Sequence, residues 1–172
     1  IDLDEVFSPK NILVSPLNNP ERFINGEYLL TQHQCDIKQN ILSKIRNCNS
    51  AIFLGITGGP GTGKTLLLYD IAKELSKTMK VLVIHCGELC KGHRFLESNL
   101  ENVQIRPAKH FRNDNDIDHD IGCILLDEAQ RIYDSILEKI IRRTRFKKLP
   151  CIISYDEKQR LSHSEFKRKS VN

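Results

Sequence analysis

Gly58-Gly59-Pro60-Gly61-Thr62-Gly63-Lys64-Thr65 fits the pattern G-x-x-x-x-G-K-[ST] at every specified position. A triphosphate needs several donors converging on one small volume, and a glycine-rich turn lets successive backbone N–H groups point inward with no Cβ in the way. In such a loop Lys64 reaches the β and γ phosphates and Thr65 offers its hydroxyl to Mg²⁺, while the positive end of the following helix favours the anion. Both flanks agree. Ala51-Ile52-Phe53-Leu54-Gly55-Ile56-Thr57 is a short apolar run rich in β-branched residues, as expected of a buried parallel strand. Beyond the loop, Leu66, Leu67, Ile71 and Leu75 recur at helical spacing with Lys73, Glu74 and Lys77 between them. The expected nucleotide-binding set is therefore Gly58, Gly59, Pro60, Gly61, Thr62, Gly63, Lys64, Thr65 and Leu66, with Thr65 also a metal ligand.

A second signature lies downstream. Ile124-Leu125-Leu126-Asp127-Glu128 places two acids directly after an apolar strand, at the carboxyl edge where open α/β sheets assemble ligand sites. Asp127 is suited to hold Mg²⁺ through its water shell or through Thr65, and Glu128 to orient and deprotonate an attacking water. Acids in this position also serve as helix caps, but after a phosphate loop hydrolysis is the better account. Ser154-Tyr155-Asp156-Glu157-Lys158-Gln159 again sets polar groups after a strand, so Asp156 and Gln159 could approach the γ-phosphate. The Gln159 amide would lose a partner on hydrolysis and so act as a sensor; a surface turn fits the same spacing.

At 172 residues the chain has the size of one domain, and 40% hydrophobic with 28% charged residues is the balance of a globular protein. No apolar run reaches membrane-spanning length, and the start Ile1-Asp2-Leu3-Asp4-Glu5 is acidic with no apolar signal core. A cytoplasmic setting without membrane contact is expected. Starting at Ile1 and stopping in Lys167-Arg168-Lys169-Ser170-Val171-Asn172, the chain reads as a piece of something longer. Cys35, Cys48, Cys86, Cys90, Cys123 and Cys151 suit reduced core thiols; Cys86, Cys90 and His93 form the one cluster that would suit a metal, without the paired C-x-x-C halves of structural zinc sites. The net charge of +4 is too small to name a nucleic-acid partner. Arg142, Arg143, Arg145, Lys147 and Lys148 crowd one stretch and Lys167 to Lys169 another, whereas Asp114, Asp116, Asp118 and Asp120 form an acidic loop. The basic runs are solvated helix ends or phosphate contacts.

Residues 8–26, with Pro9, Pro16, Pro20 and several Asn, predict irregular structure rather than a packed element. From Thr31, a plausible cap, Ile37, Ile41, Leu42 and Ile45 share a helical face to about Arg46. Strands are expected at 80–85, 103–105, 123–126 and 150–154, with a short helix near Phe95 to Leu100 and another from about Gln130 to Arg145. Strands alternating with helices predict a parallel sheet covered on both faces.

Taken together, Leu30-Thr31-x-x-Gln34, GGPGTGKT at 58–65, ILLDEAQR at 124–131 and SYDEKQRLS at 154–162 resemble superfamily 1 helicases in order and spacing. DEAQR and YDEKQRLS look more narrowly like the Schlafen-type DNA/RNA helicase domain group found in many bacterial ATPases. The resemblance covers about residues 28 to 162 and implies a P-loop NTPase of RecA-like type. That is an α/β three-layer sandwich around a mostly parallel sheet, with residues 1–27 as an irregular lead-in and 28–172 as a single RecA-like domain. It also implies that Gln34 reads adenine, that Lys64 and Thr65 serve phosphate and Mg²⁺, and that Asp127 and Glu128 are metal-holding acid and catalytic base. Gln130 with Gln159 would couple the γ-phosphate to nucleic acid. The third motif of that family usually reads Gly-Asp-x-x-Gln, and Tyr155 stands here in place of the Gly. Such helicases have a second RecA-like lobe that supplies an arginine finger and half of the nucleic-acid track, and this chain stops short of it. The expected ligands are ATP and Mg²⁺, and the expected polymer is single-stranded DNA or RNA, with Lys91, His93 and Arg94 as candidate grips. A nucleotide switch acting on protein partners, in signalling or defence, is the alternative from another class.

Overall fold

Five apolar runs, each bounded by turn residues, become five strands, and every pairing among them is parallel. The computed structural model describes residues 14–111 and 117–156. In chain order the elements are α1 (Pro20–Ile24), α2 (Gln32–Arg46), β1 (Ile52–Thr57), α3 (Lys64–Leu75), β2 (Lys80–His85) and α4 (Lys91–Asn99). There follow β3 (Val103–Pro107), a 3₁₀ turn at Ala108–His110, β4 (Ile121–Asp127), a second 3₁₀ turn at Ala129–Arg131, α5 (Asp134–Lys147) and β5 (Pro150–Tyr155). The order across the sheet is β1-β5-β4-β2-β3. The last strand in sequence thus lies between the strand that precedes the phosphate loop and the strand that precedes the acid pair.

Period-two alternation sorts the strand side chains onto two faces. Val81, Val83, Val103, Ile105, Cys123, Leu125 and Ile152 pack on one face against Ile41, Leu42 and Ile45 of α2, Leu67, Leu68 and Ile71 of α3, and Leu96 of α4. Leu82, Ile84, Ile124, Leu126 and Cys151 turn to the other, where Ile140 of α5, Phe111 and Ile117 cover them. The result is the expected three-layer α/β sandwich, with four helices on one side and one on the other. Burial pushes the thiols of Cys86 and Cys151 up to about 12, so they are inert apolar filling.

Three expectations need correction. The stretch before Gly26 is not all irregular: Pro20 opens α1 at a position where its missing N–H costs nothing, and Phe23 is fully buried in the core. Burying a side chain of that size contributes about 2 kcal/mol. Lys73 seals this corner by donating to the carbonyls of Phe23 (3.2 Å) and Ile24 (2.7 Å). Next, the helix placed near Phe95 to Leu100 starts earlier, at Lys91, because the Cys90 backbone N–H is satisfied by His93 Nδ1 at 3.0 Å, an N-terminal cap that no Ser, Thr or Asp announces. Finally, the helix expected from Gln130 to Arg145 is two pieces, with Ile132 and Tyr133 extended between the 3₁₀ turn and α5. Glu157, Lys158, Gln159, Asp114, Asp116 and Lys167 to Lys169 lie outside the described residues.

Candidate nucleotide site

Between β1 and α3 the backbone reverses through Gly61 at φ 73° and Gly63 at φ 80°, a region that side chains disfavour. Gly63 is the N-cap of α3, so the first N–H groups of that helix open into the turn. Space is as tight as the dihedral angles. A Cβ on Gly58 would meet Thr62 Oγ1 at 2.7 Å, and one on Gly63 would meet Gln34 Nε2 at 2.5 Å. Thr62 Oγ1 donates to the Gly59 carbonyl at 2.9 Å and holds the turn from inside.

Lys64 folds into its own loop. Its Nζ donates to the carbonyls of Gly58 and Gly59, both at 2.8 Å, and lies 3.8 Å from Asp156 Oδ2 at the tip of β5. Asp156 is only 2% exposed. The ammonium is thus held where a triphosphate would meet it.

Gln34 is brought to the loop by α2. Thr31 caps that helix in a full capping box: Gln34 N–H donates to Thr31 Oγ1 at 3.2 Å, and Thr31 N–H donates to Gln34 Oε1 at 2.9 Å. The Gln34 amide then has its Nε2–H free to donate to the Thr62 carbonyl at 3.1 Å. One side chain therefore ties a helix start to the phosphate loop.

Across the sheet edge, Asp127 is 1% exposed and its Oδ1 accepts from Thr65 Oγ1 at 3.4 Å. Glu128 follows with φ 58° and ψ 40°, left-handed values unusual for a residue with a side chain. Its Oε2 accepts from Gln130 Nε2 at 2.9 Å, and Gln130 Oε1 accepts from the Asp156 N–H at 3.2 Å. Gln130 thereby bridges the acid pair to the β5 tip.

These groups face a cleft of about 650 Å³, within the usual range for a small-molecule site. Lys64, Thr65, Glu128 and Asp156 line one part and Val14, Pro16 and Leu29 an apolar part. Asp127 lies beneath the lining, behind Thr65. The glycine cradle, the hydroxyl of Thr65 and the buried carboxylate of Asp127 are oxygen and N–H donors of the kinds that hold triphosphate and Mg²⁺, so the residues fit both groups.

Residues 50–171, more than half of the chain, match the family described as Schlafen group 3, DNA/RNA helicase domain. The chain belongs to this family. Among solved structures it is similar to domain III of the replication initiation protein DnaA from Thermotoga maritima, at 17% identity and a TM-score of 0.50. That match covers 82% of this chain and 58% of the DnaA domain chain, and it bears on the fold, which is that of a P-loop ATPase. No curated protein matches the sequence. Among the described residues, no helix of this Schlafen group 3 domain is long and apolar enough to cross a membrane.

Of the expected residues, Gly58 to Leu66, Gln34, Asp127, Glu128 and Asp156 come together, whereas Gln159 lies outside the described residues. One expectation fails. His93, offered as a nucleic-acid grip with exposed Lys91 and Arg94, is 2% exposed and turned into the core. No group of three His, Cys, Asp or Glu side chains that could hold a metal ion exists among the described residues, so Cys86, Cys90 and His93, the metal alternative to reduced thiols, do not form one. His93 instead packs on His85, ring centroids 4.5 Å apart, and burial with the neighbouring His85 holds its ionisation down at about 4, against the pull of Asp127. Sequence reasoning also missed His85, whose strand position looks like an ordinary end of an apolar run, and the contribution of residues 14–16 to the cleft.

Proposed function

We propose that this domain binds ATP with Mg²⁺ and hydrolyses it as the first RecA-like lobe of a superfamily 1 DNA/RNA helicase or translocase, in a cytoplasmic setting. The observation that carries the proposal is the convergence of Lys64, Thr65, Asp127, Glu128 and Asp156 on one edge of the sheet. Family membership supports the helicase part. Lys64 exchanges the carbonyls of Gly58 and Gly59 for phosphate oxygens, a gain because charge-assisted bonds between ions are the stronger kind. Gln34 lies against the loop within reach of the cleft that would receive the base. Thr65 and Asp127 would hold Mg²⁺, which when bound neutralises charge on the phosphates. Glu128 orients a water and takes its proton, with Gln130 fixing the carboxylate and reporting to the β5 tip. Residues 28–172 act as one lobe, and an opposing lobe supplies the arginine whose contribution is typically about 10³ to 10⁵ in rate.

The test is turnover of this chain alone, and of a longer protein that contains it, with and without single-stranded DNA or RNA. Slow turnover alone and stimulation by one polymer in the longer protein support the proposal; brisk turnover alone removes the need for a second lobe. Absence of stimulation by either polymer favours a nucleotide switch acting on proteins. Among the described residues Tyr133 and Phe146 are the large exposed aromatics, and so small a set leans that way because base stacking needs aromatic faces.

A further inference from the structure

Beneath the acid pair lies a group of buried polar atoms that the proposed chemistry does not use. Tyr69 Oη on α3, His85 Nδ1 on β2, His93 Nε2 on α4 and Asp127 Oδ2 on β4 are all buried, and none has a hydrogen-bond partner among the described residues. An unpartnered buried polar atom destabilises a folded protein, so four of them in neighbouring side chains ask for a reason. Two of them face each other: His85 Nδ1 and Asp127 Oδ2 are 3.4 Å apart, with side-chain exposures of 10% and 1%. The two oxygens of Asp127 are thereby divided. Oδ1 faces the Thr65 hydroxyl and Oδ2 faces His85.

The His85 ring is itself confined. A Cβ on Gly87 would come within 2.9 Å of His85 Nε2, so the backbone at 87 stands against one edge of the ring. His93 packs on the ring from α4, and His93 is pinned in turn because its Nδ1 accepts the Cys90 N–H at 3.0 Å. That bond leaves the Nδ1 of His93 without a proton.

We propose that His85 is a positioning residue for Asp127: its imidazole, clamped between Gly87 and His93 with Nδ1 3.4 Å from Oδ2, needs only a small turn of the ring to donate Nδ1–H to that oxygen, and so keeps Oδ1 on the Thr65 side. This rests on the proposed role of Asp127 as a holder of Mg²⁺. A carboxylate set behind a hydroxyl has freedom to rotate about its Cβ–Cγ bond, and groups that orient a metal-holding carboxylate change metal affinity by about 10- to 100-fold when removed. His85 touches neither nucleotide nor metal in this arrangement.

The test uses the full 172-residue chain, N-methylanthraniloyl-ATP as the probe, and fluorescence to measure its affinity while Mg²⁺ is titrated. The expected result is that His85→Phe keeps the affinity measured in EDTA but raises the Mg²⁺ midpoint about tenfold. His85→Asn, whose amide returns an N–H near the Nδ1 position, recovers most of it. A wild-type midpoint in His85→Phe, or an equal shift in both variants, overturns the proposal. Asp127→Asn is the control: if it too leaves the midpoint unmoved, the metal role of Asp127 fails and this inference falls with it, an outcome distinct from failure of His85 alone. Should His85→Phe not fold, Gly87→Ala displaces the intact ring from outside. The same rise is expected there, and an unchanged midpoint overturns the proposal equally.

Discussion

The loop after β1 and the turn after β4 solve the same geometric problem with opposite residues. Each places one residue in the left-handed region at the start of a helical turn, Gly63 at φ 80° and Glu128 at φ 58°. At the first position nothing but backbone is needed, and glycine removes the strain; a side chain would also collide with Gln34. At the second the chain keeps a residue whose side chain strains the backbone, which fits the role proposed for its carboxylate. Strain retained at one of two equivalent positions marks the one whose side chain matters.

Glu128→Gln is the sharpest way to separate the two loops. Hydrolysis should fall about 10²- to 10⁴-fold, as expected when a general base is lost, with ATP affinity within about twofold of wild type. Single-turnover kinetics beside a binding isotherm will show it, and equal loss of both would make Glu128 structural. Lys64→Ala inverts the pattern. Losing an ammonium bound to phosphate costs about 3 kcal/mol, so affinity should drop on the order of 100-fold.

A third effect reports on the support under the second loop. Burial depresses His93 to about 4, so between pH 6.5 and 4 the unfolded chain binds a proton that the folded one refuses. Stability conferred by the neutral ring is present above that window and is lost as pH falls through it. The loss should reach at most about 3 kcal/mol in urea titrations. The groups around this ring are His85, Asp127, Cys90 and Tyr69. His93→Phe should flatten the slope in that window relative to wild type; an unchanged slope would assign it to carboxylates elsewhere.

Smaller effects compare the strained positions directly. Gly63→Ala should destabilise the chain by about 1–2 kcal/mol, from the left-handed dihedral and the displaced Gln34 amide. At 128 the usual order is reversed as well: Glu128→Gly should be about 1 kcal/mol more stable than Glu128→Ala. If alanine proves the more stable there, the backbone at 128 is not strained and the comparison breaks.

The strands were legible because a parallel strand buried on both faces must be apolar through its middle, as residues 81–84 and 151–153 are. The phosphate loop and acid pair were legible because their chemistry needs fixed residue types at fixed spacing. Other features depend on contacts between distant parts of the chain. Phe23 sits among prolines and asparagines that hide its burial, and Gly92 gives no local hint that the Leu17 carbonyl lies against it, leaving no room for a Cβ. His93 looked like a polar surface residue because the cap it makes for Cys90 has no familiar sequence pattern. Asp156 stood out as a polar residue after a strand and Gln130 through the family resemblance, but that they meet through the 3.2 Å bond from the Asp156 N–H follows only from the strand order.

That order also sets a timetable. β1 and β4 never pair with each other; each pairs with β5, which is made after both. A chain emerging from the ribosome therefore carries its phosphate loop and its acid pair on separate, unjoined pieces of sheet until Pro150–Tyr155 slots between them. On the proposed function, ATP would have no complete site before that insertion and its binding afterwards would hold the central strand in place, so nucleotide should act as a late folding ligand.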